Sequence, residues 1–165
     1  MPKKLPQRDP LGVYQRKATA ARRVGKDKKC ACGETRPQAL IASSNPTRCA
    51  ACERERRGQT TVDDHHVAGK ASSPVTIPVP VNDHRANLSA AQYDWPKETR
   101  ENPDGSPLLA AAASIRGFAD TIVYLIEKLL WIAEMLEMAH PYLVKKLGLK
   151  WWLNMELEKF EAKRQ

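Results

Sequence analysis

The sequence lacks the compositional biases that mark a non-globular chain. Only 8 of its 165 residues are glycine, no residue type dominates, and no internal repeat of useful period is present, which excludes collagen-like, mucin-like and Gln/Asn-rich proteins. Its first residues, Met-Pro-Lys-Lys-Leu-Pro, lack the apolar segment of a secretory signal peptide, so we expect a cytoplasmic protein. Hydrophobic residues make up 42% of the chain, enough for one domain with an appended helical part.

Positive charge is concentrated at the start of the chain. The formal net charge is +8, and residues 1–29 hold 10 Lys or Arg against 2 Asp or Glu. We interpret residues 1–29 as a basic arm, flexible or partly helical, that is attracted to a polyanion such as DNA. A solvated tail that only adds solubility is the alternative. The candidate nucleic-acid contacts in the arm are Arg22, Arg23, Lys26, Lys28 and Lys29.

Four cysteines form two closely spaced pairs. Cys30 and Cys32 make one pair, Cys49 and Cys52 make the other, and 16 residues separate the pairs. Zinc takes four soft ligands at tetrahedral corners, and two such knuckles brought together by a loop supply them. In a cytoplasmic chain, metal-binding thiols are favoured over disulfides. The sequence therefore predicts a structural Zn²⁺ site, with redox-active thiols and buried free cysteines as the alternatives.

The C-terminal third of the chain is predicted to be helical. Residues 96–107 contain Asn-Pro-Asp-Gly-Ser-Pro and are interpreted as a linker. Ser106 is a good N-cap for a helix of about eight turns that is expected to end near Pro141. A second helix after Gly148 would complete a helical hairpin over residues 108–165.

The first of these helices carries a wide apolar face. Apolar residues recur at steps of four and three between residues 108 and 136, and others flank this seam, so the face is wider than a two-stranded coiled coil needs. Core packing is one interpretation, and a homodimer through the C-terminal helices is another. Charged residues interrupt the segment at a density too costly for a lipid core, so no membrane span is expected. They are Arg116, Asp120, Glu127, Lys128 and Glu134.

Three histidines lie close together in the sequence with acidic neighbours. His65, His66 and His84 fall within 20 residues, beside possible strands at residues 60–62 and 75–81. Because neighbouring side chains on a strand point to opposite faces, His65 and His66 cannot both do the same thing in regular β geometry. One can bind a metal while the other acts as a base. Surface or capping histidines are the alternative.

Three short segments in this region carry a family resemblance. They are His65-His66-Val67-Ala68-Gly69, Thr76-Ile77-Pro78-Val79 and His84-Arg85. In this order and spacing they resemble the ββα-metal core of the HNH endonucleases, in the sub-pattern H-H-x-A-G followed by T-I-P-V and a terminal His. The resemblance covers about residues 30–95, including the zinc knuckles that often brace this core. It implies an α+β fold: a small zinc-stabilised ββα-metal domain, followed here by the helical hairpin.

The resemblance also implies an activity, the metal-dependent hydrolysis of DNA phosphodiester bonds. His66 would be the general base. His65 and His84 would hold a catalytic Mg²⁺ or another divalent ion. Asp64 and Asp83 are neighbours that would ligate the ion or orient an imidazole.

The implied partner is DNA. Arg85 would hold a phosphate oxygen, and a prokaryotic, phage or mobile-element setting is expected. The alternative function is that of a non-catalytic, zinc-containing DNA-binding or interaction protein, which would keep the knuckles and the basic arm and use the histidines for structure.

Overall fold

The computed structural model describes residues 10–154. This part of the chain is a mixture of helices with one small sheet, which confirms the α+β class. Its contacts divide it into two units, one ending at Tyr124 and the other beginning at Leu125. The elements are α1 (Pro10–Val24), α2 (Ala50–Arg56), β1 (Val62–His66), β2 (Thr76–Pro80), α3 (Val81–Asp83), a π-helical turn (His84–Leu88), α4 (Ser89–Tyr93), α5 (Lys97–Glu101), α6 (Pro107–Leu147) and a 3₁₀ turn (Trp151–Asn154).

Strands β1 and β2 form an antiparallel hairpin. The register pairs Val62 with Pro80 and His66 with Thr76, so the first strand lies two residues later than the predicted 60–62 and contains both histidines. Pro78 and Pro80 lie two residues apart on β2 and turn their missing N–H positions to the same edge, which a two-stranded sheet leaves unpaired. The hairpin therefore accommodates both prolines.

A helical segment follows β2 without a break. It consists of α3, the π-helical turn and α4, and so covers residues 81–93. It packs on the hairpin through side chains that are at most 2% exposed, namely His65, Val79, Val81 and Leu88. The chain thus has two strands and a helical segment in the order that the family resemblance implies, while the HNH-like identity of this arrangement stays a prediction.

Helix α1 changes the description of the basic arm. Residues 10–24 form α1, so this part of the predicted arm is helical, while residues 1–9 lie outside the described part. Val24, at the end of α1, packs against the buried cluster of Cys30, Leu40 and Cys49. Arg16 forms an ion pair with Asp94. These contacts fix the helix because they bury apolar surface and pair a charge at separate points along it.

The predicted linker over residues 96–107 contains α5 and a tight turn. Asn102 has φ of +40°, and its side-chain oxygen accepts a hydrogen bond from the Ser106 N–H at 2.8 Å. The Ser106 hydroxyl in turn lies 3.5 Å from the Leu109 N–H at the start of α6. The turn chemistry and the N-cap at Ser106 agree with the sequence, whereas the short helix was not predicted.

Helix α6 is longer than predicted. It runs through Pro141 to Leu147, so the expected end at His140-Pro141 is wrong. Proline removes one hydrogen bond from a helix interior without necessarily ending the helix. The helix ends where Gly148 takes φ of +93° and its N–H bonds the Val144 carbonyl at 2.9 Å, a conformation that glycine adopts at little cost.

The predicted helical hairpin has no described second helix. The chain after Gly148 forms the 3₁₀ turn Trp151–Asn154, and residues 155–165 lie outside the described part. Helix α6 is long and apolar enough to cross a membrane by length and composition, which is weak evidence for a span. The absence of a membrane span, inferred from the charged residues of this segment, stays a prediction.

The apolar face of α6 is exposed in the described chain. Each of its large apolar side chains between residues 125 and 136 is more than two-fifths exposed. If two copies of the chain associate through this face, light scattering after size exclusion will give twice the mass of one chain at micromolar concentration. The double variant Leu129→Glu/Leu136→Glu will give the single mass, because charges cannot be buried unpaired.

The control for this prediction lies on the same helix. Glu134→Gln removes a charge without adding one and should leave the mass unchanged. A single-chain mass for the unchanged protein at micromolar concentration would contradict the homodimer.

Candidate functional sites

The four cysteines come together in the structure, as the sequence predicts. Their sulfur atoms all lie within 4.8 Å of one another, and the Sγ atoms of Cys32 and Cys49 are 3.6 Å apart. Gly33 closes the first knuckle with φ of +94°, and its N–H bonds the Cys30 carbonyl at 2.9 Å. Cys49 caps α2, its Sγ accepting a hydrogen bond from the Cys52 N–H at 3.4 Å.

The geometry of this four-cysteine cluster is compatible with zinc. Tetrahedral Zn–S bonds of about 2.3 Å put neighbouring sulfur atoms about 3.8 Å apart, close to the Cys32–Cys49 separation of 3.6 Å. Within residues 10–154, no other group of three or more His, Cys, Asp or Glu has ligand atoms this close together.

Three of the four thiols have shifted pKa values. Burial raises the pKa of Cys30, but hydrogen bonds from the backbone N–H groups of Cys32 and Cys49 outweigh it and lower this pKa to about 6. Contact with the Cys32 thiol, together with burial, raises the pKa of Cys52. The thiols resist ionising together because each thiolate repels the next, and a divalent cation removes this repulsion.

A second cluster forms between the hairpin and the helical segment. The rings of His65 and His84 have centroids 5.1 Å apart. His84 Nδ1 lies 2.8 Å from the Asp63 carboxylate, which also binds Arg54 at 2.6 Å. Because a carboxylate only accepts, Nδ1 of His84 carries the proton and Nε2 has the free lone pair. Asp63 thereby orients His84 as carboxylates orient metal-binding imidazoles.

His65 is the buried member of this second cluster. It is 2% exposed, its Nδ1 has no hydrogen-bond partner within residues 10–154, and its Nε2 lies 3.4 Å from the Gln92 amide nitrogen. Burial, followed by electrostatic repulsion from the neighbouring imidazoles of His84 and His66, lowers the pKa of His65 to about 4. The ring is therefore neutral at pH 7, the form that binds metals.

His66 faces the other side of β1, as the strand alternation predicts. Its Nδ1 lies 3.4 Å from the Ser73 carbonyl oxygen, a long contact that favours the tautomer with the proton on Nδ1 and the lone pair on Nε2. Asp64 shares the side of the strand opposite to His65 and is exposed. The structure therefore does not bring Asp64 to His65 and His84.

The Asp83 carboxylate pairs with side chains from other parts of the chain. It is buried, and its carboxylate binds Arg36 at 2.7 Å and accepts a hydrogen bond from the Tyr124 hydroxyl at 3.0 Å. Burial and this hydrogen bond raise the pKa of Tyr124 to about 12. In this structure both oxygens of Asp83 are engaged in joining α3 to the cysteine loop and α6, and its assignment as a metal ligand stays a prediction.

Asp63 is the site residue that the sequence prediction missed. It lies two residues before His65, and the same strand alternation that separated His65 from His66 puts Asp63 on the His65 face. That signal was available in the sequence. Its pairing with His84, 21 residues later, depends on how the helical segment packs on the hairpin.

The predicted nucleic-acid contacts are all exposed. Five of them lie at the end of α1 and just after it: Arg22, Arg23, Lys26, Lys28 and Lys29. The sixth, Arg85, lies in the π-helical turn. Arg23 and Arg85 both line a groove of about 720 Å³ between α1 and the helical segment. The arm and Arg85 therefore face one groove.

Comparison with protein-family models, curated proteins and solved structures finds no match to this chain. The residues themselves therefore carry the functional argument.

Proposed function

We propose that the protein is a metal-dependent endonuclease that hydrolyses DNA phosphodiester bonds. The observation that carries the proposal is the convergence of His65 and His84 beneath the hairpin. Asp63 orients one ring, and the other ring is buried and neutral at pH 7. The ring centroids lie 5.1 Å apart, and imidazole nitrogens are among the ligands that divalent cations take in proteins.

His65 and His84 would hold the divalent ion. Bound there, the ion would polarise the phosphate and stabilise the departing oxygen. Asp63 keeps the proton on Nδ1 of His84 and so directs the lone pair of Nε2 outward from the carboxylate. His65 contributes a neutral ring, which needs no proton loss before it binds a cation.

His66 would act as the general base through Nε2. The oxygen of a water molecule forms a bond to phosphorus, one P–O bond to a sugar breaks, and the proton of the water passes to His66. The departing sugar oxygen takes a proton from solvent. Because His65 and His66 are adjacent on β1 and face opposite sides, the base and the ion ligand do not compete for the same position.

The four-cysteine cluster would bind structural zinc. All four positions would be filled by sulfur, which leaves no open position for substrate. Asn82 ties the zinc region to the helical segment, since its side-chain oxygen accepts from the Ala51 N–H at 3.0 Å and its amide donates to Glu34 at 3.2 Å. Zinc would thereby support the start of the segment that carries His84.

A plasmid-nicking assay tests the proposed activity. Purified protein is expected to nick supercoiled plasmid in Mg²⁺ or Mn²⁺, and His66→Ala is expected to lower the rate at least ~100-fold, the contribution typical of a general base. His140→Ala is the matched control, because His140 lies in the second unit next to Trp152, and it should nick at the unchanged rate.

Two outcomes would contradict parts of this proposal. Cleavage that survives His66→Ala would remove the base assignment. A protein that shifts DNA on a gel and cleaves in neither ion would favour the alternative function, a non-catalytic zinc-containing DNA-binding protein.

A further inference from the structure

The groove between α1 and the helical segment has two walls and a floor. Its walls come from residues 12–24 of α1 and residues 85–93 of the π-helical turn and α4, and its floor from the loop around Gln38 and Leu40. A volume of about 720 Å³ is in the range of sites for small ligands. It suits one unpaired nucleotide, whereas a duplex is too wide to enter.

The charge of the groove is positive. Arg23 on one wall and Arg85 on the other are exposed and have no acidic partner within residues 10–154. The acidic residue nearest in sequence to the α4 wall, Asp94, is neutralised by Arg16. The two unpaired guanidinium groups are therefore available to a phosphate, which Arg binds with good geometry.

The groove also contains an aromatic ring. Tyr93 lines it and is 58% exposed, so much of its ring surface is accessible to a ligand. The Arg100 guanidinium lies over the Tyr93 ring, 5.2 Å from its centroid. A ring held in this way is a platform on which an unpaired base can stack.

We propose that this groove binds an unpaired nucleotide of a single strand, with its phosphate on Arg23 and Arg85 and its base on Tyr93. The inference deepens the proposed function and rests on it, since it names single-stranded nucleic acid as the class of substrate.

The test is a binding measurement without added divalent ion, so that no cleavage occurs. Fluorescence anisotropy is recorded with a labelled dT12 strand, a U12 strand and a 12-base-pair duplex. We expect dT12 to bind more tightly than the duplex, and Tyr93→Ala to weaken dT12 binding at least ~5-fold, as loss of one stacked base does. Tyr93→Phe keeps the ring and should bind as the unchanged protein does.

Matched controls separate the groove from general charge and general aromatic effects. Tyr14→Ala removes a ring that is 71% exposed on α1 but does not line the groove, and it should leave binding unchanged. Arg85→Gln should weaken dT12 binding. It should also reduce the slope of the logarithm of the binding constant against the logarithm of the salt concentration by the amount that about one phosphate contact contributes. Lys145→Gln, which removes an exposed charge from α6, should do neither.

The outcomes distinguish this inference from the proposed nuclease. The inference would be overturned if Tyr93→Ala bound dT12 as tightly as the unchanged protein does. It would also be overturned if Tyr93→Ala and Tyr14→Ala lost the same amount of dT12 affinity. If circular dichroism shows that Tyr93→Ala is unfolded, the dT12 affinities of Arg85→Gln and Lys145→Gln are compared instead. Equal affinities of these two variants would then overturn the inference. Binding as expected, without cleavage of either plasmid or dT12 once Mg²⁺ or Mn²⁺ is added, would keep the groove and remove the nuclease. Tight U12 binding with weak dT12 binding would make RNA the substrate.

Discussion

Replacing Cys49 by serine is expected to remove the proposed structural zinc and unfold the region around residues 30–57. Cys49 is fully buried, and its only buried neighbours in the local apolar cluster are Cys30 and Leu40. A cluster of this size cannot offset the conformational entropy of the surrounding loops. Binding of structural zinc contributes about 10–16 kcal/mol to the stability of such modules. Losing the ion would therefore cost more stability than losing any single core contact.

Zinc content and helicity measure this effect. The unchanged protein should contain one zinc per chain by elemental analysis, and Cys49→Ser well under half of that, with a lower helical signal in circular dichroism because α1 docks on the same cluster through Val24. Ser43→Ala, an exposed change in the same loop, is the control. Zinc that can be removed by a chelator without any change in unfolding would contradict the structural role.

Replacing Gly117 by alanine is expected to lower the free energy of unfolding by about 3 kcal/mol. Gly117 is buried on α6, and a Cβ atom there would lie 1.7 Å from the carbonyl oxygen of Val67 and 2.6 Å from its carbonyl carbon. The obstacle is backbone, so no side chain can rotate away and α6 must shift. This cost exceeds the gain of about 1 kcal/mol that alanine brings to a helix.

The same variant should also impair the proposed activity. Val67 directly follows His66, so a displacement of Val67 reaches the strand that carries both histidines. Thermal unfolding should show a fall of about 6–12 °C in Tm, together with slower plasmid nicking. Ala111→Gly, an exposed change on the same helix, should cost about 1 kcal/mol. A Gly117→Ala protein as stable as the unchanged one would contradict the close packing of α6 on Val67.

Local patterns in the sequence predicted several parts of the fold correctly. The spacing of Cys30, Cys32, Cys49 and Cys52 predicted that the four thiols would meet, because one Zn²⁺ takes four sulfur ligands and two knuckles joined by a loop supply them. The start of α6 at Ser106-Pro107 followed from capping chemistry. The opposite faces of His65 and His66 followed from the two-residue period of a strand.

Local patterns failed where a rule about one residue competed with its surroundings. Pro141 was expected to end the helix, but α6 continues to Leu147 because the next residue suited to a helix end is Gly148. The charge of the basic arm left open whether it is flexible or partly helical. The apolar Val24 and the ion pair of Arg16 with Asp94 hold α1 against the first unit.

The sequence by itself determined which side chains were available for chemistry: four thiols, three clustered histidines and an excess of positive charge at one end. Only the tertiary structure decided their partners. It joined Asp63 to His84, gave Asp83 to Arg36 and Tyr124, and put Arg23 across a groove from Arg85. The physical reason is that periodicity and turn chemistry act over a few residues, whereas these contacts join residues far apart in the chain and exist only once the helices pack on the hairpin.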